Sequence, residues 1–465
     1  MSSQTEAFDL IVIGAGQGGD PLARAFATAG KTVALIERDQ VGGCCVNYGC
    51  TPTKTMISHA AAIQAVRDSV KYGVTTGPEP TIDLDFVRHR KDEVVESFRS
   101  GTEHHLSQFP SLELIYGSAR FIGPKSVEVD LNDGVARALT GKIIVINTGA
   151  RPAQPSLPGL DQITAYDSTS MQNVSEIPDH LVILGGGNIA VEFGQMFRRF
   201  GSNVTLVQHP SNLINHEDPD VSDEIEKIFI EDGIRILKGC KAVGVSSAPT
   251  GFSLSLRSYD GPSEVRGSHL MIAIGRTSAI EGLGLESAGI AVSEQGNIVV
   301  DEKLATSVPG VYAMGDVTGE PRFTHISYDD FRILKANLLE GASRTTTDRQ
   351  VPYTMFTDPQ ISHVGISETE AKKRNLNYAA PKVAIADTAR GIETGKTRGF
   401  MKAIVDKDTK QILGATIVCY ESGELLPTFQ TAMLAKLPYT VLKDMTFAHP
   451  TQAESINNLF MQLDS

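Results

Sequence analysis

The sequence has no hydrophobic run that approaches the roughly 18–20 residues needed to span a bilayer, and it has no low-complexity segment. It also lacks an excess of positive charge, because 55 acidic residues outnumber 42 basic ones and give a formal net charge of −13. These absences argue against a membrane protein and against a nucleic-acid partner. Residues 1–8 are polar and lead directly into an apolar strand, so we expect a cytosolic protein.

Cysteine is scarce, since five cysteines in 465 residues cannot form a disulfide scaffold. Three of the five, Cys44, Cys45 and Cys50, nevertheless fall within seven positions. Such clustering in a reducing compartment indicates redox chemistry or metal binding. The chain length, the 41% apolar content and the 43 glycines together predict a multidomain α/β protein.

Segment 9–37 runs as a short apolar strand, a glycine-rich turn, a helix, a second strand and a terminal acid. In this pattern Gly14 permits the tight turn, Gly16 lets the backbone approach a pyrophosphate, and Gly19 lets helix and strand pack closely. Glu37 is then placed to accept hydrogen bonds from ribose hydroxyls. The unit predicts a dinucleotide site, and a turn that serves packing alone is the weaker alternative.

The same pattern returns 171 positions later in the chain. The positions equivalent to Gly14 and Gly16 are Gly185 and Gly187, and a strand again precedes them. A fold repeated in register predicts two dinucleotide sites. A protein with two such sites usually passes electrons between two cofactors.

The acid is lost in the second copy, where Gln208 stands at the position equivalent to Glu37. A carboxylate there favours the free ribose diol of NAD and repels the 2′-phosphate of NADP. Neutral Gln208 beside His209 removes that repulsion, but no arginine follows in 210–216 to bind the phosphate. The coenzyme choice stays open between NADH and NADPH, with a slight preference for NADPH.

Cys45 and Cys50 are five positions apart. In a regular helix this spacing puts the Cα atoms roughly 8–9 Å apart, beyond the ~7 Å limit for a disulfide, so a bridge requires a distorted turn. Gly49 and Pro52 can supply that distortion. A disulfide at a helix start is readily reduced, and a helix N-terminus lowers the pKa of a thiol. Two alternatives remain: cysteines that pack in the core, and a zinc site that lacks a visible second Cys or His cluster.

Three motifs carry a resemblance to a known family. They are Gly42-Gly43-x-Cys45-x4-Cys50-x-Pro52-x-Lys54, the dipeptide Gly315-Asp316, and the segment His449-Pro450-Thr451-Gln452-Ala453-Glu454. The sequence resembles the pyridine nucleotide-disulfide oxidoreductases over essentially its full length, and within them the mercuric-reductase-like, reactive-chlorine-resistance branch.

The resemblance implies an α/β fold with two Rossmann-like dinucleotide-binding domains and a C-terminal α+β dimerisation domain. The expected boundaries are 1–151 with 279–350 for the FAD-binding domain, 152–278 for the NAD(P)-binding domain, and 351–465 for the dimerisation domain. FAD would be bound by Gly14, Gly16, Gly19, Glu37, Gly43, Thr148, Gly149, Gly315 and Asp316. NADPH or NADH would be bound by Gly185, Gly187, Gln208, His209 and Gly275. Lys54, paired with Glu192, would lie near the flavin ring.

The resemblance also implies the catalytic roles. Cys45 would be the interchange thiol that faces the substrate, and Cys50 the thiolate against the flavin. His449, followed by a proline at a predicted helix start and oriented by Glu454, would be the acid/base. In the family this histidine reaches across a dimer interface, so a homodimer is expected.

Departures from the family pattern limit the substrate prediction. Cys44 stands where the family usually has Thr. It would be either a small buried side chain or a second ligand for a soft oxidant or metal. Thr51 replaces an aliphatic residue, Phe447 replaces a histidine typical of lipoamide dehydrogenases, and residues 457–465 lack the vicinal cysteines of mercuric reductases.

We therefore expect reduction of a small thiol-reactive oxidant or disulfide, without a resident metal. The alternatives are reduction of Hg(II) or Cu(II), dihydrolipoamide dehydrogenation, and a non-enzymatic role as a redox-sensing flavoprotein.

Overall fold

The first part of the chain alternates apolar strands with helices, as its glycine turn predicts. The computed structural model describes residues 5–258, 261–347 and 349–464. The strands up to residue 153 are β1 (Glu6–Ile13), β2 (Val33–Glu37), β3 (Leu112–Gly123), β4 (Ser126–Leu131), β5 (Ala136–Ile146) and β6 (Ala150–Pro152). The helices are α1 (Gly19–Thr28), α2 (Gly43–Asn47), α3 (Cys50–Asp68) and α4 (Leu84–Ser107).

Strand β1 is apolar without interruption because both of its faces are buried. Leu10 and Val12 belong to one core cluster, which includes residues of α1, while Ile11 and Ile13 belong to another. A central strand of a parallel sheet covered on both sides has this composition. Strand β1 pairs in parallel with β2 and β5, which places the carboxyl end of β1, and the glycine turn after it, in the middle of the sheet edge.

The next part of the chain repeats this arrangement. Its strands are β7 (Ala165–Tyr166), β8 (His180–Leu184), β9 (Asn203–Val207), β10 (Arg235–Leu237), β11 (Lys241–Ala248), β12 (Gly251–Ser258), β13 (Gly261–Gly267) and β14 (His269–Ile272), and its helices are α5 (Asn188–Phe200) and α6 (Pro219–Glu231). Leu10 pairs with Val33, and Leu181 pairs with Val204, so both partners are shifted by the same 171 residues. The predicted repeat is thus present in the strand register.

The chain then returns to the first sheet. It forms β15 (Arg276–Ser278), α7 (Leu285–Ala288), β16 (Val311–Ala313), a 3-10 turn (Gly315–Thr318) and α8 (Thr324–Leu339). The parallel strand orders are β3-β2-β1-β5-β16 in the first sheet and β10-β9-β8-β14-β7 in the second. In the first repeat β4 pairs antiparallel with β3 and β5, and in the second repeat β11-β12-β13 form a separate antiparallel sheet. Both repeats are Rossmann-like, as predicted.

The C-terminal part is built around an antiparallel sheet in the order β17-β18-β22-β21-β19, with β20 also pairing with β21. Its strands are β17 (Tyr353–Met355), β18 (Gln360–Gly365), β19 (Tyr378–Ala379), β20 (Lys382–Ala384), β21 (Phe400–Asp406) and β22 (Ile412–Cys419). Its helices are α9 (Glu368–Lys373), α10 (Ala389–Thr394), α11 (Ser422–Leu434), α12 (Tyr439–Asp444) and α13 (Ser455–Met461). Phe429 and Phe460 are fully buried in its core. The predicted α+β character of this region is confirmed.

The chain divides into two compact units. One contains the residues up to Met56 together with Asp85–Ala153 and Gly275–Arg349, and the other contains Ile57–Leu84, Gln154–Ile274 and the residues from Gln350 onward. The three predicted domain boundaries remain a prediction. No helix in the described part of the chain is both long enough and apolar enough to cross a membrane.

Candidate active site

The first glycine turn requires residues without a side chain. Gly14 has φ of +104°, and a Cβ there would lie 2.4 Å from the carbonyl oxygen of Asn147. A Cβ at Gly19 would lie 2.1 Å from the carbonyl oxygen of Gly14. These close approaches bring the start of α1 against the end of β1, so that the N-terminus of the helix faces the turn. Such a helix start is suited to binding a pyrophosphate.

Glu37 is bonded to the turn that it borders. Its carboxylate accepts hydrogen bonds from the Ala15 N–H at 2.8 Å and from the Asp39 N–H at 2.9 Å. Burial raises the pKa of Glu37, and these N–H donors oppose that rise. Each carboxylate oxygen has a further lone pair, so Glu37 can hold the turn and also accept a ribose hydroxyl.

The cysteine segment lies directly on this turn. Gly43 has φ of +62°, and a Cβ there would come within 2.7 Å of the Gly16 Cα. The Gly42 N–H donates to the Ala15 carbonyl oxygen at 2.8 Å. A dinucleotide bound at the turn would therefore pass beside the segment that carries Cys45.

Two polar residues that follow strands β5 and β16, Thr148 and Asp316, lie in the same compact unit as the first glycine turn. The Thr148 hydroxyl oxygen is buried and has no hydrogen-bond partner among the described residues. Leaving it unpaired would cost about 1–3 kcal/mol, and a bound ligand would supply the partner. Asp316 follows β16, and burial raises its pKa while Arg276 and Arg322 oppose the rise. An unpaired hydroxyl and a partly buried carboxylate fit a ligand that is rich in hydroxyl groups, as FAD is.

The two cysteines lie on different helices rather than on one. Helix α2 ends at Asn47, and α3 begins at Cys50, so Tyr48 and Gly49 interrupt the helix between the two cysteines. A Cβ at Gly49 would lie 3.0 Å from the Cys44 carbonyl oxygen, which shows how tight the connection is. The distorted turn and the position of Cys50 at a helix start are as predicted, and the two cysteines are reduced in this structure rather than joined in a disulfide.

Thr324, which the sequence analysis missed, touches the cysteine pair. It is the first residue of α8, and its hydroxyl oxygen lies 3.5 Å from the Cys50 sulfur. A hydrogen bond with Cys50 and burial raise the pKa of the Cys45 thiol, whereas a hydrogen bond from Thr324 lowers it. Because 274 residues separate Thr324 from Cys50, no local spacing in the sequence indicates the contact.

Cys44 is directed to another partner. Its sulfur accepts a hydrogen bond from Nη2 of Arg276 at 3.3 Å, and the same nitrogen donates to the Ala150 carbonyl oxygen at 2.5 Å. Burial raises the pKa of Cys44, and the charge of Arg276 opposes the rise. Cys44 is thus bonded through Arg276 to the ribbon formed by β6 and β15.

Lys54 and Glu192 fall in different compact units, so their predicted pairing stays a prediction. Lys54 lies on α3 one turn after Cys50. Glu192 is buried on α5, and one of its carboxylate oxygens accepts a hydrogen bond from the Phe356 N–H at 2.8 Å. Glu192 therefore also fixes the chain segment just after β17, a role that the sequence did not indicate.

His449 and Glu454 form a hydrogen-bonded pair. Nδ1 of the imidazole lies 2.9 and 3.1 Å from the two carboxylate oxygens of Glu454. Since a carboxylate can only accept, Nδ1 carries the proton and Nε2 is left for chemistry. The His449 side chain is 65% exposed in the single chain. It lies in the loop after α12, so its predicted position at a helix start is wrong, because α13 begins only at Ser455.

The second glycine turn is built like the first but is more open. A Cβ at Gly185 would lie 2.2 Å from the Ala273 carbonyl oxygen, whereas a Cβ at Gly187 would meet nothing within 4 Å. Gln208 is buried at the end of β9 and donates to the Asn212 carbonyl oxygen at 3.3 Å, while His209 is exposed. Gly275, with φ of +129°, follows β14 at the start of the returning chain.

Comparison with known proteins identifies the chemistry. Residues 8–330 match the family model described as pyridine nucleotide-disulphide oxidoreductase, and residues 351–460 match the dimerisation domain of the same family. The chain belongs to this family. The probable pyridine nucleotide-disulfide oxidoreductase RclA of Escherichia coli is 38% identical over 459 residues, which cover 97% of this chain and 98% of that protein.

Other members of the pyridine nucleotide-disulfide oxidoreductase family are also similar. A mercuric reductase of Streptomyces lividans is 33% identical over 449 residues, which cover 97% of this chain and 94% of that enzyme. The solved Cu(II) complex of the HOCl-induced flavoprotein disulfide reductase RclA from Escherichia coli superposes with a TM-score of 0.90 at 37% identity, covering 98% of this chain and 99% of that one. The chain is an FAD-dependent pyridine nucleotide-disulfide oxidoreductase, and its dimerisation domain indicates a homodimer.

In this family context the Thr324 contact leads to a prediction about pH. Thr324→Val removes the hydroxyl that stabilises the ionised pair while nearly keeping the side-chain shape, so the thiolate should form only at higher pH. We expect the acid limb of the activity profile to move to higher pH. Thr324→Ser, which retains the donor, should restore the original profile. Equal profiles for the wild type and Thr324→Val would show that the hydroxyl does not act on the thiols.

Proposed function

We propose that the protein passes electrons from NAD(P)H through FAD to a Cys45–Cys50 disulfide, and from the reduced pair to a small thiol-reactive oxidant or disulfide. For a disulfide acceptor the overall reaction is NAD(P)H + H⁺ + RSSR → NAD(P)⁺ + 2 RSH. The observation that carries this proposal is the close approach of Gly43 to Gly16, which sets the cysteine segment on the first dinucleotide turn.

The proposed reaction at sulfur uses Cys45 and Cys50 of one chain and His449 of the neighbouring chain. Cys45 attacks the acceptor disulfide as a thiolate, which forms a mixed disulfide and releases one thiol. Cys50 then attacks the Cys45 sulfur, which re-forms the internal disulfide and releases the second thiol. His449, with Nδ1 held by Glu454, takes the proton from Cys45 and returns it through Nε2 to the leaving thiolate.

The proposed cofactor sites follow the two glycine turns. FAD would lie on the first turn, between Glu37 and Asp316, with the Thr148 hydroxyl as a further contact. FAD there supplies a carrier that accepts a hydride and can reduce a disulfide. The remaining glycines of that site, from the sequence motifs, are Gly14, Gly16, Gly19, Gly43, Gly149 and Gly315.

The proposed pyridine nucleotide site lies on the second turn, with Gly185, Gly187, Gln208, His209 and Gly275. Gln208 carries no charge to repel a 2′-phosphate, and exposed His209 can approach one. These features support a preference for NADPH over NADH. Comparing kcat/KM for the two nucleotides tests it.

We propose that the exposed His449 serves as the acid/base for Cys45 of the neighbouring chain in a homodimer. Lys54 and Glu192 would pair beside the flavin. A cytosolic location and the absence of nucleic-acid and membrane partners remain predictions from charge and hydropathy.

Reduction of Hg(II) or Cu(II) is the second candidate function. It is favoured by the similarity to mercuric reductases and to a solved Cu(II) complex. Among the described residues, no three His, Cys, Asp or Glu side chains come together as a metal site. The small-oxidant reaction needs only the thiol pair and His449, so it remains the first candidate.

The spectrum of the enzyme tests the proposed electron path. The purified protein should contain one FAD per chain, and two-electron reduction should produce a long-wavelength band from a thiolate in charge-transfer contact with the flavin. Cys50→Ser should abolish that band, because it removes the thiolate next to the ring. Cys44→Ser is the matched control and should retain the band, since Cys44 is bonded to Arg276. A band that persists in Cys50→Ser would reverse the assignment of the two cysteines.

A further inference from the structure

A buried carboxylate on α8 holds the turn that carries Asp316. The side chain of Asp330 is 2% exposed, and its Oδ2 atom accepts a hydrogen bond from the Gly315 N–H at 2.8 Å. Its other oxygen, Oδ1, accepts a hydrogen bond from Nη1 of Arg349 at 2.5 Å. Burial raises the pKa of Asp330, and the Gly315 N–H and Arg349 oppose the rise. One oxygen therefore pairs a charge, and the other fixes a backbone N–H.

The backbone of this turn is held at several of its polar groups. Gly315 is buried with φ of +72°, and a Cβ there would lie 2.7 Å from the Ser327 Oγ. The Gly315 carbonyl oxygen accepts a hydrogen bond from the Thr318 hydroxyl at 2.9 Å. The Asp316 carbonyl oxygen accepts one from the Ser278 hydroxyl at 3.1 Å. The buried Gly315 N–H cannot turn to water for a partner, so it depends on the carboxylate from α8.

Asp330 shares one side of α8 with two residues that contact other parts of the candidate active site. Thr324, Ser327 and Asp330 are spaced three residues apart, so they are neighbours along the helix. The Thr324 hydroxyl oxygen lies 3.5 Å from the Cys50 sulfur. A Cβ at Gly18, in the first glycine turn, would lie 2.8 Å from the Ser327 Oγ. One helix therefore contacts a redox cysteine, the first glycine turn and the turn after β16.

We propose that Asp330 is a positioning residue for FAD. By fixing the Gly315 N–H, it holds Asp316 where the carboxylate can bind a hydroxyl of FAD, at a set distance from Cys50. Asp330 acts through Gly315 and not by contact with the cofactor. This inference rests on the proposed function, in which Asp316 borders the FAD site.

The variants Asp330→Leu and Arg349→Met separate this role from simple support of the fold. Both break the buried ion pair, so both should lower the Tm of the FAD-loaded protein. Only Asp330→Leu also removes the acceptor of the Gly315 N–H, because a carboxyl group retains an acceptor oxygen even when it is protonated.

The rate at which FAD leaves the holoenzyme is the first measurement, followed by the rise in flavin fluorescence. It should increase at least tenfold in Asp330→Leu, since the turn that carries Asp316 is no longer fixed. In Arg349→Met it should stay within about threefold of the wild-type rate. A purely structural ion pair would change the two rates alike.

The charge-transfer band is the second measurement, because a loss of stability alone does not change it. After two-electron reduction, Asp330→Leu should show a weaker band per bound FAD, and Arg349→Met should keep the wild-type intensity. Asp329→Asn is the matched control. Asp329 adjoins Asp330 on α8 and lies 3.8 Å from Nη1 of Arg349, but the Gly315 N–H donates to its neighbour. Its release rate and band should both match the wild type.

Asp330→Ser replaces Asp330→Leu if the leucine variant does not fold, since the shorter hydroxyl cannot reach both partners and leaves room for water. Equal rates of FAD release in the Asp330 variant and in Arg349→Met would overturn the inference alone and leave Asp330 as a structural partner of Arg349. A release rate that matches the wild type would do the same. Failure of the wild type to retain FAD would instead overturn the proposed function, and the inference with it.

Discussion

A mixture of two inactive variants, Cys45→Ser and His449→Ala, should regain activity once their subunits exchange. Each hybrid dimer would contain one site with both residues intact and one site that lacks both. Random exchange makes half of the dimers hybrid, so about a quarter of the wild-type activity is expected. Each variant alone should lose activity by roughly a thousandfold or more, since one removes the nucleophile and the other its acid/base.

The matched control mixes Cys45→Ser with Cys50→Ser. Both cysteines belong to one chain, α2 and the start of α3, so no hybrid dimer has an intact site and no activity should return. Subunit exchange is verified independently by native mass spectrometry of differently tagged chains. If exchange is complete and the mixture of Cys45→Ser with His449→Ala stays inactive, His449 serves a cysteine of its own chain.

The exposure of His449 is the structural reason to expect this result. An imidazole with Nδ1 held by Glu454 has its basic Nε2 available, yet 65% of the side chain faces solvent in the single chain. Acid/base catalysis requires Nε2 within hydrogen-bond reach of the reacting sulfur. A second chain packed through the dimerisation domain can satisfy that requirement.

The parts of the fold that the sequence predicts best are those specified by local spacing. The glycines of each turn, the strand before them and the polar residue at the end of the next strand, Glu37 or Gln208, all lie within about thirty residues. The repeat at 171 residues then fixes how the second sheet pairs, and the register of Leu181 with Val204 follows that of Leu10 with Val33. The cysteine motif is equally local, and it predicts the break between α2 and α3.

The parts of the site that could not be predicted depend on contacts between distant segments. Thr324 reaches Cys50 across 274 residues, and Arg276 reaches Cys44 across 232. The side chains alone do not specify these contacts, since threonine and arginine are common at helix starts and in strands. The hydrogen bond that Asp330 accepts from a backbone N–H is likewise a property of the packed structure, because the sequence shows only two adjacent aspartates.

Cys44 is the departure from the family pattern that bears most on the choice of substrate. A vicinal pair with Cys45 would be a good ligand for a soft metal, which is the basis of the metal-reductase alternative. The structure instead directs the Cys44 sulfur to the Arg276 guanidinium, a hydrogen bond that a serine hydroxyl can also accept. The two sulfurs of the vicinal pair therefore have different partners.

The other cysteines offer no second pair of thiols. Cys240 and Cys419 are both buried, and neither has another cysteine as a sequence neighbour. Passing Hg(II) from solvent to an active site relies on successive pairs of accessible thiolates that exchange the ion. Within this chain the accessible thiols are confined to the active-site segment itself.

We therefore expect faster turnover with a small thiol-reactive oxidant such as hypothiocyanite, or with a small disulfide, than with Hg(II) or Cu(II). Cys45→Ser should abolish this turnover, by roughly a thousandfold or more, because Cys50 is proposed to lie against the flavin and Cys44 is bonded to Arg276. Cys44→Ser should change kcat/KM by less than about fivefold, since serine can retain the hydrogen bond from Arg276. Steady-state NAD(P)H oxidation with each acceptor measures both effects. An Hg(II) rate ten times above all others, or a loss in Cys44→Ser as large as that in Cys45→Ser, would make the vicinal pair a metal site and the protein a metal reductase.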